Sequence, residues 1–383
     1  MNLERILKKL AKNNASAPTK KLKVLHIPTS GVNAGGITKF IFDTMGEQSV
    51  KNKLECYILS PIDVEPSFKK RLTVLGTTLV IFNERTRSPH IYFFKLLSYL
   101  RKNEFDLIHV HGSSSLMSLE LLAAKLAGIK VRIAHSHNTT CDHQTLHKLL
   151  KPLFLRSYTH ALACSQAAGE WLFLNKPFEV IYNGVDLKRL SFSKENRTAL
   201  RKKLGLSDDA LVLGHVGHFN RQKNHHFLLD IFQEVARLDE SARLILIGSG
   251  KLENELKQKA RQLQLSDKIL FIGNVDDVEN YFSAMDAFVL PSLFEGFSIV
   301  LAEAQANGLA SFASDRIPET VAITNKIHFL SLENSDKYWA DKILAKHDVF
   351  HHLSEKDKDA LKVFDVHIIS RSLYKKYLQF LAD

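Results

Sequence analysis

The sequence predicts an α/β protein of two Rossmann-like, doubly wound domains that face each other across a cleft. Three observations lead there. The 383 residues are enough for two domains, each with its own core. Strand-like apolar runs alternate with helical patterns in both halves. A break rich in Lys, Arg and Ser, residues 187–206, separates the halves and reads as the connection between domains.

In the first half, β-type runs fall at residues 23–28, 55–59, 79–82, 106–111, 131–135, 160–164 and 179–182, with helical patterns between them at 89–102 and 115–127. Such alternation specifies a parallel sheet whose ligands bind at the carboxyl ends of the strands. After the break, strands are expected at 211–216, 243–248, 268–273, 287–290, 310–313 and 328–330. The chain closes with Val366, Ile369, Leu373, Tyr377 and Phe380 at helical spacing.

Composition narrows the class. A hydrophobic fraction of 45% and a charged fraction of 24% are ordinary for a globular chain. Three widely spaced cysteines, Cys56, Cys141 and Cys164, argue against a disulfide framework and suit a reducing cytosol. No apolar run approaches a membrane span, and the first residues lack the apolar core of a signal peptide. A cytoplasmic protein is expected.

The net charge of +11 is not evenly spread. Residues 1–187 hold 25 Lys and Arg against 14 Asp and Glu, whereas the remainder holds 27 of each. A basic first half suggests an anionic partner: a membrane surface, a phosphorylated acceptor or nucleic acid. Tyr92, Phe93, Phe94 and Tyr99 sit in a helical apolar pattern that is simpler as core than as a nucleic-acid face. Leu3, Ile6, Leu7 and Leu10, with Arg5, Lys8, Lys9 and Lys12 around them, form a short basic amphipathic pattern that could lie on an anionic membrane or pack on the body.

The most informative stretch is Pro291 to Leu309, PSLFEGFSIVLAEAQANGL. It reads as strand end, tight loop with Gly296, and helix, with Ser298 as a plausible N-cap. Backbone N–H groups at the helix start favour an anion such as a phosphate. Glu295 before them and Glu303 a turn into the helix could each accept hydrogen bonds from sugar hydroxyls. Three other segments reach strand ends. Gly35 and Gly36, after the first strand, permit close backbone approach to a ligand or a tight turn. His109 with His111, and His135 with His137, pair on one face of neighbouring strands. They lack a carboxylate or thiolate companion, so contact with a substrate hydroxyl or phosphate is preferred to a metal. In GHVGHFNRQKNH, His218, Arg221 and Lys223 converge where such a domain presents phosphate-binding groups.

In their order and spacing, Glu295 and Glu303 within PSLFEGFSIVLAEA, QKNH, NGVD at Asn183–Asp186, the Gly-Gly loop, VHG and AHSHN resemble retaining glycosyltransferases of family 4, with GT-B architecture, of the polysaccharide-synthesis type. The resemblance covers nearly the whole chain. It implies an acceptor-side domain over 1–187, a nucleotide-sugar domain over 188–365, and a helix over 366–383 that returns to the first domain. Glu303 would bind the ribose hydroxyls and Glu295 the donor sugar. Backbone amides from Gly296 through Phe297, Ser298, Ile299 and Val300 would hold sugar and diphosphate. Lys223 matches the basic residue on the diphosphate, His111 the histidine beside the transferred sugar, and Gly35 and Gly36 the glycines near the phosphates. Asn274 and Val275 would meet the base. One departure stands out: His218 replaces an arginine usual after the second glycine, and Arg221 could substitute for it.

The expected activity is a retaining transfer from a nucleotide-diphosphate sugar to a lipid diphosphate-linked glycan, on the inner face of the cytoplasmic membrane. No metal or other cofactor is expected, since the lone Asp-x-Asp, Asp357 to Asp359, lies in a charged helical stretch rather than at a strand end. The rivals are a GT-B nucleotide-sugar 2-epimerase and a nucleotide-sugar-binding subunit without turnover.

Overall fold

The computed structural model describes residues 21–33, 35–347 and 351–383, so the basic amphipathic pattern of Met1–Lys12 lies outside the described residues. Two all-parallel sheets appear where the alternation places them. The first contains β1 (Leu22–Pro28), β2 (Leu54–Ser60), β3 (Thr78–Ile81), β4 (Leu107–Gly112), β5 (Val131–Ser136), β6 (His160–Ala163) and β7 (Glu179–Val180), in the order β3-β2-β1-β4-β5-β6-β7. The second contains β8 (Val212–Val216), β9 (Arg243–Ile247), β10 (Ile269–Gly273), β11 (Ala287–Leu290), β12 (Ser311–Ser314) and β13 (Ile327–Leu330), in the order β10-β9-β8-β11-β12-β13. The central strands are nearly continuous apolar runs because helices cover both faces, as in β11, where all four residues are buried.

The strand order reverses between β1 and β4 and again between β8 and β11. Chains leaving two such adjacent strands depart in opposite directions and leave a crevice at their carboxyl ends. The loops opening there follow Pro28, Gly112, Val216 and Leu290 and bear most of the candidate residues, while Asn274 and Val275 follow β10.

The connection differs from an extended linker. It folds into helices Leu187–Leu190 and Lys194–Lys203, capped by the Asp186 and Ser193 side chains. The second packs on the helix Val278–Ala284 and carries Arg201 into the core at 1% exposure. Asp286, immediately before β11, receives Arg197 at 2.5 Å, Arg201 at 2.7 Å and the Val212 N–H at 2.8 Å. One carboxylate thus joins the connection, β8 and β11.

The chain crosses between domains twice, and the crossings run side by side. Val185 N–H donates to Phe364 O, and Val366 N–H donates to Val185 O. Gly184 permits this approach, because a Cβ there would lie 2.7 Å from the Val366 Cα. Beyond the second crossing, the helix Val366–Ala382 buries Ile369, Leu373, Tyr377 and Phe380 in the core of the first sheet. Tyr92 is core as expected, whereas Phe94 on the same helix is exposed. Asp357 belongs to a capping box with Ser354 at the start of the helix Glu355–Leu361.

Replacing Asp286 with Ala leaves the Arg201 guanidinium buried without its carboxylate. We expect a loss of about 3–5 kcal/mol of stability, the range for breaking one partner out of a buried ion pair, measured by chemical denaturation.

Candidate active site

The loop after β11 enters the helix Ile299–Ala306, every residue of which is buried. Ser298 takes up the extended backbone of an N-cap, but its side chain caps nothing. Its hydroxyl is buried and unpartnered, so the helix start has spare hydrogen-bonding capacity beyond its backbone N–H groups. Gly296 lies against the first domain: a Cβ there would stand 2.3 Å from His137 O. Ser165 Oγ donates to Gly296 O at 2.8 Å, and Thr139 Oγ1 donates to Glu295 O at 3.3 Å. Across the crevice, Gly36 opens the helix Gly36–Gly46, with Gly35 as N-cap. A Cβ on Gly36 would lie 3.3 Å from Ile299 Cδ1. The Gly-Gly loop therefore faces the start of the helix Ile299–Ala306. The Phe297 ring stacks on Phe364 and belongs to the core, so this residue offers the cleft its backbone.

Both acids are enclosed, Glu295 at 7% exposure and Glu303 at 5%. Each holds a lysine. Lys223 Nζ lies 2.7 Å from Glu295 Oε1, and Lys39 Nζ, from the opposite domain, lies 3.2 Å from Glu303 Oε1 and 2.5 Å from Asp43. Burial raises the Glu303 pKa above the usual carboxylate range, with Lys39 opposing it. Lys39 is itself raised, because its two carboxylates outweigh its own desolvation.

Lys223 is set by the turn Arg221–Lys223. The Lys223 N–H donates to the Asn220 side chain, and Asn224 follows with a left-handed φ of 54°. This loop rests on the end of β9, where Gly248, at φ 134°, leaves no room for a Cβ: one would fall 2.1 Å from Gly217 O. His218 and Arg221 are both exposed, and neither has a side-chain partner among the described residues. Asn274, after β10, donates to Ser249 Oγ at 3.1 Å, which places it beside the same loop, and Val275 packs on the core.

The histidines are more numerous than the two pairs in the sequence suggest. His26 of β1 joins His109 and His111 of β4, His135 of β5 and His137 just after that strand. His111, with 0% exposure, shares hydrogen bonds of 3.0 Å with both His26 and His137. His109 shares one of 2.7 Å with Tyr377 Oη and one of 3.1 Å with His135. Of the five rings only His137 keeps partial exposure, so His137, not His111, lines the crevice directly. Burial pushes His26 and His137 down to about 3 and the other three well below the usual range. All five are neutral near pH 7. The ring nitrogens of His26, His109 and His111, and of His111, His135 and His137, lie within 4.8 Å of one another, close enough for a metal ion. No carboxylate or thiolate joins either group, and most of the ring nitrogens hydrogen-bond one another, with His26 Nε2 and His135 Nε2 buried without a partner.

The sequence profile of the glycosyl transferases group 1 matches residues 196–347, and that of glycosyltransferase family 4 matches residues 34–189. EpsF of Bacillus subtilis (strain 168), which carries a glycosyltransferase assignment, is 30% identical over 84% of this chain and 86% of its own length. The chain is a group 1 glycosyltransferase. A further relative of this glycosyltransferase is the UDP-Gal:alpha-D-GlcNAc-diphosphoundecaprenol alpha-1,3-galactosyltransferase of Escherichia coli, 27% identical over 63% of this chain and 66% of that protein. Anabaena Alr3699/HepE, solved in complex with UDP-glucose, superposes with a TM-score of 0.78 at 20% identity, covering 94% of this chain and all of that one. The two facing domains are those of the GT-B glycosyltransferases.

Sequence reasoning missed Lys39, His26 and the Gly248–Ser249 support of the glycosyltransferase's Lys223 loop. Lys39 reads as an ordinary helix lysine until Glu303 is placed opposite it. Lys223→Met strands the Glu295 carboxylate and should cost roughly 2–4 kcal/mol, the low side of a broken buried pair because Lys223 keeps some exposure. The double variant Lys223→Met/Glu295→Leu should recover most of this loss in urea denaturation.

Proposed function

We propose that this glycosyltransferase moves a sugar from a nucleotide-diphosphate donor, with retention of configuration and without a divalent metal, to a lipid diphosphate-linked glycan of surface or capsular polysaccharide synthesis. The observation that carries the reading is the pair of enclosed acids on either side of one helix start, each facing a lysine. In this reading the diphosphate lies at the N-terminus before Ile299, between Lys223 and the Gly36 loop. Glu303 takes the ribose hydroxyls and Glu295 the sugar. Lys223, the exposed Arg221 and His218, and the helix start offset charge on the leaving diphosphate. The acceptor oxygen bonds to the anomeric carbon on the face from which the diphosphate departs, and a diphosphate oxygen takes the acceptor proton. The E. coli relative, named for an acceptor on diphosphoundecaprenol, supports the lipid-linked class.

Docking on a membrane belongs to the same proposal. The helix Gln144–Leu155 follows the His137 loop and exposes Leu146, Leu149 and Leu153, the second at 74%, beside the exposed Lys148 and Arg156. Apolar residues at this spacing with flanking cations suit an anionic lipid surface. Among the described residues, no helix is long and apolar enough to cross a membrane.

Three measurements test the reading. With the pKa of Glu303 raised by burial, its contribution to stability is full below the ordinary value of 4.5 and lost as pH rises through the raised value. Folding therefore disfavours its ionised form relative to its protonated form. Glu303→Gln should be no less stable than the wild type without nucleotide, yet lose the thermal shift given by the matching nucleotide sugar; a retained shift refutes the ribose assignment. Transfer should persist in excess chelator and give a product with the donor's anomeric configuration by NMR. Flotation with anionic liposomes should fall several-fold in Leu149→Glu/Leu153→Glu and in high salt, and equal binding to neutral liposomes would count against an electrostatic part.

A further inference from the structure

Two hydrogen-bonded imidazole chains lie stacked in the first domain. One runs from His26 Nδ1 to His111 Nε2, and from His111 Nδ1 to His137 Nε2. The other runs from Tyr377 Oη to His109 Nδ1, and from His109 Nε2 to His135 Nδ1. The chains touch through rings 4.0 Å apart at His109 and His111, and 4.1 Å apart at His135 and His137. Phe40 covers three of the rings from the helix Gly36–Gly46.

A neutral imidazole carries one proton, so it donates from one nitrogen and accepts at the other. The His26–His111–His137 chain therefore has two orders. If the protons sit on Nε2, His137 donates to His111, which donates to His26, and His26 Nε2–H is a buried donor without an acceptor. If they sit on Nδ1, His26 donates to His111 and His111 donates to His137. The only buried defect is then the bare lone pair of His26 Nε2. An unpaired buried N–H is the rarer and costlier defect, so the second order prevails. It leaves the proton of His137 on Nδ1, which has no hydrogen-bond partner among the described residues, on the one ring of the five that is partly exposed.

We infer that His26 is a positioning residue: through His111 it fixes the proton of His137 on Nδ1, the nitrogen left to donate to a ligand hydroxyl in the cleft. The inference rests on the donor-site reading above for the identity of the ligand, but the proton order does not. His111 is then the relay between the two rings. The backbone of His137, already against Gly296, keeps the ring beside the donor loop.

The test uses the full-length enzyme. Two-bond 1H–15N spectra of 15N-histidine protein, assigned by single His→Gln variants, should show His26, His111 and His137 as Nδ1–H tautomers without substrate. Any of the three found as Nε2–H would overturn the inference, as would uptake of one equivalent of zinc from zinc chloride with loss of the ring signals. His26→Asn keeps an amide donor at the place of Nδ1, whereas His26→Leu does not. We expect His26→Leu to lower kcat/KM about tenfold, a lost neutral hydrogen bond, and to shift His137 toward Nε2–H. His26→Asn should stay within about threefold of wild type at equal Tm. Full activity in His26→Leu, or no rescue by Asn, would also overturn it. Should His26→Leu fail to fold, the wild-type spectrum alone decides. A wild type that turns over no nucleotide sugar would instead sink the donor-site reading, with the tautomers measured independently.

Discussion

Two carboxylates buried beside one helix start constrain everything around the cleft. A buried carboxylate without a partner is expensive, so Glu295 and Glu303 must each be met by a cation. The second domain supplies Lys223 from the loop after its first strand. The first domain supplies Lys39 from the helix after its own first strand. These equivalent positions in the two domains are the places where a doubly wound sheet presents a helix start or a basic loop. Of the two acids, Glu303 therefore ties the domains, through a Lys39 contact that a ligand bearing hydroxyls could replace.

That contact needs domains that can approach closely and hold register, and the paired crossings provide both. The bridge between Val185 and Asp365 holds the two connecting strands together at one place, where Gly184 leaves no side chain between them. Three of the four NGVD positions are thereby explained: Gly184 for the close approach, Val185 for the bridge, and Asp186 as cap of the helix that follows. The returning helix Val366–Ala382 then binds the end of the chain to the first domain through Tyr377, whose hydroxyl enters the imidazole cluster. Motion about this point would change the Lys39–Glu303 and Gly36–Ile299 distances, since each spans the crevice, while leaving Lys223–Glu295 within one domain.

The fold was legible because its strands are buried on both faces, so apolar runs bounded by turn residues mark all thirteen to within a few residues. The connection was less so: a segment poor in large apolar residues looks irregular, yet Leu200 and Arg201 suffice to anchor a helix once Asp286 lies beneath it. At the site, loops were legible by position and composition, but pairings between them were not. Nothing local to Lys39 announces Glu303, which is 264 positions away and meets it at 3.2 Å only through the closure of two domains. His26 was hidden for a related reason. A single histidine in an apolar strand reads as a tolerated core residue, and only the parallel register setting it beside His109 shows that it completes a cluster.

Ser298 leaves a hydroxyl uncommitted at the start of the helix Ile299–Ala306. An N-cap serine ordinarily spends its hydroxyl on the helix it begins, and here it does not. The same helix is buried on all sides, so water cannot serve its first N–H groups freely. At this helix start, flanked by Lys39, Lys223 and two carboxylates, the Ser298 hydroxyl is buried and unpartnered. A ligand that is anionic in its middle and hydroxyl-rich at both ends resolves all of these demands at once, since its phosphates accept what the helix start and lysines offer while its hydroxyls donate to the acids. A purely anionic ligand would satisfy the donors and leave the acids dependent on their lysines, so in the proposed function the hydroxyls of a nucleotide sugar are what distinguish it from free diphosphate at this site.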